Sequence, residues 1–435
     1  MLVRSIRDRL SAVHPEFPKY LLAIAFMAVC GGIFENTYYN YLWDQFQIGE
    51  RTRGHLELVR EFPGLLNVLF LAIFAAIPET RVAAIAAAVT CVGMAGFGIA
   101  GHNWWVFLVL TLAWGTGSHI IMPIEKSLTM ELGGETARGR RLGQVGAVRV
   151  AGSIVGAAAV LLVFASMTRP DAAAVVEEGA RPPVLVDEMW RYDASFYVGA
   201  LACALAAWMF WSMRQVGSRS KRPRLVLKRE YWLYYVLSVL FGARKQVFLT
   251  FGRWVLVKIF LTPPPTFAWL WIAASVIGIW FNPWIGKVID RVGERRILVI
   301  DSILLMVVCF GYGVSTHLPV APAVQQGFVL AFFVLDQILF GLQAARSTYM
   351  GKIAQSKEDL TGSLSMGVTL DHVVAATIPS LGGWIWWKYG YEWVFVGAGG
   401  IAILMTFFAN MIRTPDHRAG GEQSAEPPKR QVAAE

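Results

Sequence analysis

An all-α membrane protein with twelve transmembrane helices is the fold class that this sequence predicts. Of its 435 residues, 56% are hydrophobic and 16% are charged, whereas soluble domains average about 45–50% apolar and about 25% charged residues. The apolar residues form runs of about 20 residues, the length that a helix needs to cross a bilayer. The basic residues gather in alternate loops between these runs. These observations exclude a disordered chain, a basic nucleic-acid-binding domain and a typical soluble enzyme.

Twelve apolar runs are the predicted spans 1 to 12. Segments of alternating polarity, which a transmembrane barrel would require, do not occur in the sequence. The predicted spans are 20–42, 56–77, 81–101, 104–127, 140–167, 194–213, 231–258, 266–286, 296–316, 324–346, 361–386 and 391–412.

The loop charges predict the orientation of the chain, because cytoplasmic loops of membrane proteins are rich in Lys and Arg. The loops after spans 4, 6 and 8 each carry several basic residues, whereas LTPPPT after span 7 and THLPVAPAVQQ after span 9 carry no Lys or Arg. We therefore expect both termini to be cytoplasmic, in the inner membrane of a bacterium. The loop after span 1 departs from this pattern, since it places Arg51 and Arg53 on the outer side.

A basic linker, residues 214–230, divides the predicted spans into two groups of six. The first six-helix bundle is predicted at 20–213 and the second at 231–413. Residues 1–19 are predicted to be a cytoplasmic segment, either a helix lying on the membrane surface or a solvated basic tail, and 414–435 a disordered cytoplasmic tail. Two such halves are expected to form a binding site between them, near the middle of the membrane.

The connection between spans 8 and 9 reads GKVIDRVGERR. It resembles the G-x-x-x-D-R-x-G-x-R-R loop of the major facilitator superfamily, and this resemblance implies an alternating-access transporter with a cytoplasmic gate. The charged residues would lock two helices together, while the glycines permit a tight turn and close helix approach. The equivalent first-half loop, AAIPETRVAA, keeps only Glu79 and Arg81 of the pattern. The predicted gating residues are Gly286, Asp290, Arg291, Gly293, Arg295 and Arg296.

Span 5 contains a second pattern of glycines. Gly143, Gly152 and Gly156 match the spacing found in proton antiporters of the superfamily, although Ala157 stands in place of the proline and the final glycine pair is missing. The similarity favours export of the solute. Packing of small residues against a neighbouring helix explains the same glycines.

Ionisable residues deep inside the spans are the main indication of function. Each such charge costs about 2.5–3.5 kcal/mol at a helix centre on insertion scales, so it normally faces a cavity or a partner. The sequence places these charges on spans 1, 4, 5, 7, 10 and 11. The resemblance to the superfamily implies that these spans lie in or beside a central cavity.

Two roles are expected for these deep residues. Cationic and polar groups would bind a small anionic or zwitterionic solute, and carboxylates and histidines would carry a coupling proton. Alternatively, the charges form structural pairs between helices, for example Asp371 with Arg149. The predicted solute-binding residues are Arg149, Lys245, Gln246, Arg253, Tyr39, Asn36 and His119. The predicted proton-coupling residues are Glu35, Asp336, Asp371 and His372.

Motifs for metal, cofactor or covalent chemistry are not found in the sequence. The four cysteines lie far apart inside apolar runs, and no phosphate loop, HExxH or GxSxG motif occurs. We therefore expect no cofactor, no metal, no enzymatic activity and no nucleic-acid partner. We expect a monomer that binds a small solute and protons and contacts membrane lipids. The alternatives are a proton-symport uptake permease and a non-transporting assembly or sensor protein of the same fold.

Overall fold

A computed structural model describes residues 14–133, 138–167, 188–216 and 226–413. The predicted lipid-contacting segment before residue 14, the centre of the basic linker and the predicted C-terminal tail lie outside the described residues.

The predicted spans are all helical. Ten helical segments of the described ranges are long and apolar enough to cross a membrane, and span 10 counts as one of them although a short 3-10 stretch at Phe340–Gln343 divides it. Spans 2 and 7 are each built from two shorter helices. Spans 1 to 6 are Phe17–Phe46, Glu50–Leu65 with Asn67–Ile73, Glu79–Ala100, Trp104–Leu132, Arg138–Val163 and Trp190–Ser212. Spans 7 to 12 are Trp232–Val247 with Arg253–Lys258, Pro264–Val292, Glu294–Val314, Pro322–Leu339 with Ala344–Ile353, Lys357–Tyr389 and Tyr391–Asn410.

The spans pack as two groups of six. In the first half, span 1 packs against spans 5 and 6, and span 3 packs against spans 4 and 6. In the second half, span 7 packs against spans 11 and 12, and span 9 packs against span 12. The two groups meet where span 2 faces span 11, span 5 faces span 8, and span 1 faces spans 7 and 8. The fold is therefore an all-α membrane fold of two six-helix bundles, as predicted.

Span 2 is interrupted near its middle. Pro63 lies inside its first helix, which ends at Leu65. Proline lacks a backbone donor and crowds the turn before it, so it weakens this helix just before the interruption. The second helix begins at Asn67, whose side-chain Nδ2 donates to the carbonyl oxygen of His119 at 3.1 Å. This bond fixes the interruption against span 4.

Span 7 contains a π-helical turn at Phe248–Gly252. Such turns insert one extra residue into the helix, and they occur frequently at functional sites. Here the turn separates Lys245 from Arg253, so it sets the direction in which Arg253 leaves the helix.

The halves contact each other closely at the end of the bundle where spans 1 and 2 are connected. We call the end that carries the connections between spans 1 and 2 and between spans 7 and 8 the outer end, and the opposite end the inner end. At the outer end Asn40 Nδ2 donates to the carbonyl oxygen of Thr262 at 2.7 Å, and Lys258 pairs with Glu50. The structure is therefore closed at its outer end.

Two glycines allow spans 2 and 11 to approach each other there. A Cβ atom built on Gly54 would lie 3.0 Å from the carbonyl carbon of Pro379, and one built on Gly383 would lie 2.5 Å from the backbone oxygen of Glu50. Neither neighbour is a flexible side chain, so the helices have to separate if either glycine gains a side chain.

Replacing Gly54 by leucine is expected to lower the free energy of unfolding by about 1–3 kcal/mol, the usual cost of overpacking. Gly31 is the matched control, since no atom lies within 4 Å of a Cβ built there. Thermal unfolding of the two purified variants in detergent measures the difference. Equal stability of Gly54→Leu and Gly31→Leu would contradict the tight packing of spans 2 and 11.

Candidate functional site

Span 2 carries a row of charged side chains along one helical face. The row begins at Arg53 and continues with Glu57, Arg60 and Glu61, at steps of four, three and one residues. The first three side chains are buried. Arg53 Nη2 donates to Glu57 Oε1 at 2.6 Å, and Arg60 Nε donates to Glu57 Oε2 at 2.7 Å. Glu57 is therefore held between two guanidinium groups.

The second half reaches this row through span 7. Gln246 Nε2 donates to Glu57 Oε2 at 3.3 Å and contacts Thr250 Oγ1 at 3.2 Å. Gln246 and Thr250 share a helical face, as the sequence predicts. This contact joins spans 2 and 7 near the middle of the bundle.

An ion pair between Glu35 and Arg253 also bridges the halves. The Arg253 side chain is 2% exposed and the Glu35 side chain is 23% exposed. Arg253 Nη1 also donates to the backbone oxygen of Glu35 at 3.0 Å. The guanidinium is thus deeply buried, whereas its carboxylate partner keeps some access to solvent.

Tyr39 lies between the two arginines that come from opposite halves. The guanidinium carbon of Arg53 is 4.9 Å from the centre of its ring, and that of Arg253 is 5.0 Å from it. An aromatic face attracts guanidinium groups, so Tyr39 lets two like charges approach one another.

Glu61 contacts a histidine from each half. Its Oε2 lies 3.3 Å from His119 Nε2 on span 4 and 3.3 Å from His372 Nδ1 on span 11. His119 Nδ1 contacts the backbone oxygen of Gly115 at 2.7 Å. The interface therefore brings an acid and two imidazoles together from three helices.

The charges of this interface balance. Three guanidinium groups face three carboxylates, and pairing offsets much of the cost of burying charge within a bilayer. Some donors are left over: Arg53 Nε and Nη1 and Arg253 Nε are buried and have no hydrogen-bond partner among the described residues. These N–H groups are available to an anion.

We call the connected polar residues of this interface the central network. They are Glu35, Tyr39, Arg53, Glu57, Arg60, Glu61, His119, Gln246, Arg253 and His372.

Six of the predicted site residues belong to the central network, and the others lie elsewhere. Asn36 donates to Gly32 O on its own helix at 2.6 Å. Lys245 pairs with Asp371 between spans 7 and 11. Arg149 pairs with Glu125 inside the first half, and its side chain is 54% exposed. The suggested pair between Asp371 and Arg149 is therefore wrong, because each side chain has a nearer partner of opposite charge.

Asp336 lies within the second half rather than at the interface. Arg244 Nη2 donates to Asp336 Oδ1 at 2.9 Å, and the two side chains are 0% and 2% exposed. Asp301 of span 9 is also fully buried. The geometry gives Asp336 a structural partner on span 7.

The loop between spans 8 and 9 has the tight turn that its sequence predicts. Gly293 has a φ of 90° and is the single residue between two helices, a conformation that favours glycine. The predicted close approach at Gly286 is not made, since no atom lies within 4 Å of a Cβ built there. The buried acid of this loop is Glu294, which pairs with Lys352 at 2.7 Å. The gating residues Asp290, Arg291, Arg295 and Arg296 are exposed.

Two of the three span 5 glycines pack against span 1, whereas no atom lies within 4 Å of a Cβ built on Gly143. A Cβ atom on Gly152 would lie 2.6 Å from the backbone oxygen of Ala25, and one on Gly156 would lie 3.0 Å from the backbone nitrogen of Ile33. This geometry matches the packing of small residues between helices. It leaves no separate observation in favour of export.

The span 2 charges are the functional residues that the sequence analysis missed. The loop exception at Arg53 is resolved, because this side chain is not on the outer surface but is fully buried beside Glu57. The spacing of Arg53, Glu57 and Arg60 on one helical face was the available signal. The start of the predicted span at residue 56 left Arg53 in the loop, whereas Glu57 and Arg60 lay inside the predicted span and were not considered with the deep charges.

Comparison with known families finds a match in the second half of the chain. Residues 234–435 match the model of the Major Facilitator Superfamily. Comparison with curated proteins finds no match.

Solved structures resemble the whole chain. The nucleoside transporter NupG superposes with a TM-score of 0.69 at 11% identity, covering 92% of this chain and 100% of that one. A bacterial homologue of the human lysosomal transporter Spinster, in an inward-facing and occupied conformation, gives a TM-score of 0.66 at 11% identity and covers 91% and 95%. The fucose:proton symporter FucP of E. coli gives 0.55 at 12% identity and covers 92% and 98%.

Proposed function

We propose that this chain is a member of the major facilitator superfamily and a proton-coupled transporter of a small anionic or zwitterionic solute. The match of residues 234–435 and the similar folds of solved transporters support transport rather than an enzymatic reaction. The proposal places its termini in the cytoplasm and the protein in a bacterial inner membrane, as the loop charges predict. The single observation that carries it is the Glu35–Arg253 ion pair between the two halves.

Arg253 is the proposed anchor for the anionic group of the solute. Its planar guanidinium suits a carboxylate or a phosphate, and its Nε has no hydrogen-bond partner among the described residues. Arg53 supports the binding from the first half, since both guanidiniums lie over the Tyr39 ring. A solute anion bound by both arginines would hold the halves together.

Glu35 is the proposed carrier of the proton. In the structure the Glu35 carboxylate is paired with the Arg253 guanidinium. A solute anion therefore has to compete with this carboxylate for Arg253. Protonation of Glu35 removes this competition and weakens the bridge at the same time, and the outer end is then free to open. Proton and anion therefore bind together, which favours symport and makes the uptake permease the preferred alternative.

The similar solved structures do not identify the solute. NupG is a nucleoside transporter and FucP a fucose:proton symporter, and at this identity they support the fold rather than a substrate. The local charges support an anion. We therefore propose the substrate class from Arg53 and Arg253 and not from the neighbours.

The experiment begins with a thermal-shift screen of the purified protein against carboxylates, phosphorylated metabolites, amino acids and nucleosides, because a bound ligand stabilises the folded state. The best anion is then added to proteoliposomes that contain a pH-sensitive dye. We expect the anion to drive proton movement into the wild-type vesicles.

Glu35→Gln is expected to bind the anion but to move no proton with it. Glu125→Gln is the matched control, because Glu125 also pairs with an arginine but lies inside the first half. We expect this control to remain coupled. Anion-driven proton flux that is equal in Glu35→Gln and the wild type would contradict the assignment of Glu35.

A further inference from the structure

We propose that Glu61, His119 and His372 bind a divalent first-row transition-metal ion between the two halves. The residues come from span 2, span 4 and span 11, and their ligand atoms all lie within 4.8 Å of one another. We call these three residues the metal triad. The inference does not depend on which solute the protein carries.

The spacing of the metal triad fits tetrahedral coordination. Metal–ligand distances of about 2.0–2.1 Å at tetrahedral angles place neighbouring ligand atoms about 3.3 Å apart. Glu61 Oε2 lies 3.3 Å from His119 Nε2 and 3.3 Å from His372 Nδ1. When an ion binds, the distance between the ligand nitrogens of the two imidazoles is the one that has to adjust, and it is at most 4.8 Å.

The hydrogen bond behind His119 prepares its other nitrogen as a ligand. A carbonyl oxygen can only accept, so the 2.7 Å contact with Gly115 O places a proton on His119 Nδ1. In the neutral ring Nε2 then carries a lone pair, and this lone pair faces a Glu61 oxygen that is also an acceptor. Two acceptors at this distance have either a proton or a metal ion between them, and metal-bound histidines commonly have this backbone bond behind them.

The neighbouring groups hold the metal triad in place. Arg60 Nη2 donates to Glu61 Oε1 at 3.0 Å, which leaves Oε2 for the ion. Gly64 gives the rings their room: a Cβ built there would lie 2.8 Å from both His119 Cδ2 and His372 Nδ1. Any larger residue at this position would displace the imidazoles.

The donor set selects the class of ion. Two imidazoles and one carboxylate favour Zn²⁺, Co²⁺, Ni²⁺ or Cu²⁺, whereas Mg²⁺ and Ca²⁺ prefer all-oxygen sites. Three protein ligands leave one tetrahedral position open. Arg60 adds a positive charge beside the site. An anion or a hydroxide at the open position would therefore be attracted both by the bound dication and by Arg60.

Metal binding at the triad would join the first half to the second. Since the ion binds this closed arrangement, it stabilises that arrangement over any state in which spans 2 and 11 separate. Transition-metal ions are therefore expected to hold the outer end closed.

The test is a Zn²⁺ titration of the purified, tag-free full-length protein in detergent, followed by calorimetry and by thermal unfolding. We expect one ion per chain and a higher unfolding temperature with Zn²⁺. Glu61→Gln, His119→Gln and His372→Gln are each expected to weaken the affinity at least about 10-fold to 100-fold, the range seen when metal-site partners are lost.

His55→Gln is the matched control, because His55 also bridges the halves through Ser380 Oγ at 3.1 Å but lies outside the triad. It is expected to bind Zn²⁺ like the wild type. Gly64→Ala keeps all three ligands and is expected to weaken binding by displacing the rings, so it tests the site even if a histidine variant fails to fold. Wild-type protein that binds no Zn²⁺, or triad variants that bind it with unchanged affinity, would overturn the proposal.

Discussion

Replacing Arg253 by glutamine is expected to abolish solute transport and to destabilise the protein. Arg253 is 2% exposed, and its removal leaves Glu35 without its partner between the halves. Removing one member of a buried ion pair costs about 3–5 kcal/mol, and the partial exposure of Glu35 places the expected loss near the lower limit. Transport is lost because the solute anion no longer has its anchor.

The double variant Glu35→Gln/Arg253→Gln separates the two effects. It removes both charges, so we expect most of the stability to return while transport stays absent. Unfolding temperatures in detergent and uptake of the screened anion into proteoliposomes measure the two properties. Arg149→Gln serves as control, since its side chain is 54% exposed. Uptake at the wild-type rate by Arg253→Gln would show that Arg253 is not the anchor.

Replacing Arg244 by methionine is expected to cause the largest loss of stability in the second half. The guanidinium is fully buried and bonds to Asp336 at 2.9 Å, and Asp301 is buried nearby without a hydrogen-bond partner among the described side chains. Without Arg244, spans 9 and 10 would each keep a buried carboxylate that has lost a nearby positive charge. We expect a decrease of about 3–5 kcal/mol in the free energy of unfolding.

The double variant Arg244→Met/Asp336→Leu is expected to recover part of this loss, because apolar side chains of similar volume can replace a buried pair. Asp301 remains, so the recovery is incomplete. Arg291→Met, an exposed change in the same half, is expected to stay within about 0.5 kcal/mol of the wild type. Denaturant unfolding of the purified variants measures all three. A wild-type stability for Arg244→Met would show that Asp336 does not need this partner.

The fold could be predicted from the sequence because the membrane imposes a simple rule on helix length. Runs of about 20 apolar residues and alternating loop charges were sufficient for the twelve spans. Spans 2 and 7 are the least regular, with the interruption after Pro63 and the π-helical turn at Phe248–Gly252. Both irregularities lie next to the central network, where polar contacts replace continuous apolar packing.

The site was predicted in part. Glu35, Gln246 and Arg253 were recognised as charged or polar residues at depth, and the structure places all three at the interface. Their partners depend on how the helices are arranged, and one sequence does not contain that information. Glu125 and Glu57 show this well, because the first pairs with Arg149 inside one half and the second accepts bonds from both halves.

The metal triad shows the same limit. His119 lies 58 positions after Glu61 in the sequence, and His372 lies 311 positions after it. No local spacing therefore predicts that the three residues form a site. Sequence motifs for metals rely on ligands that lie close together in the chain. Three helices have to meet before these residues form a cluster.

In the proposed mechanism the Glu35–Arg253 pair keeps the outer end closed. The distance between spin labels at His102 and Val320, measured by double electron–electron resonance, tests this role. These exposed positions lie in the outer connections of the first and second halves. We expect the same distance distribution in the wild type and in Glu125→Gln, and a larger population of longer distances in Glu35→Gln. Identical distance distributions in Glu35→Gln and the wild type would contradict it.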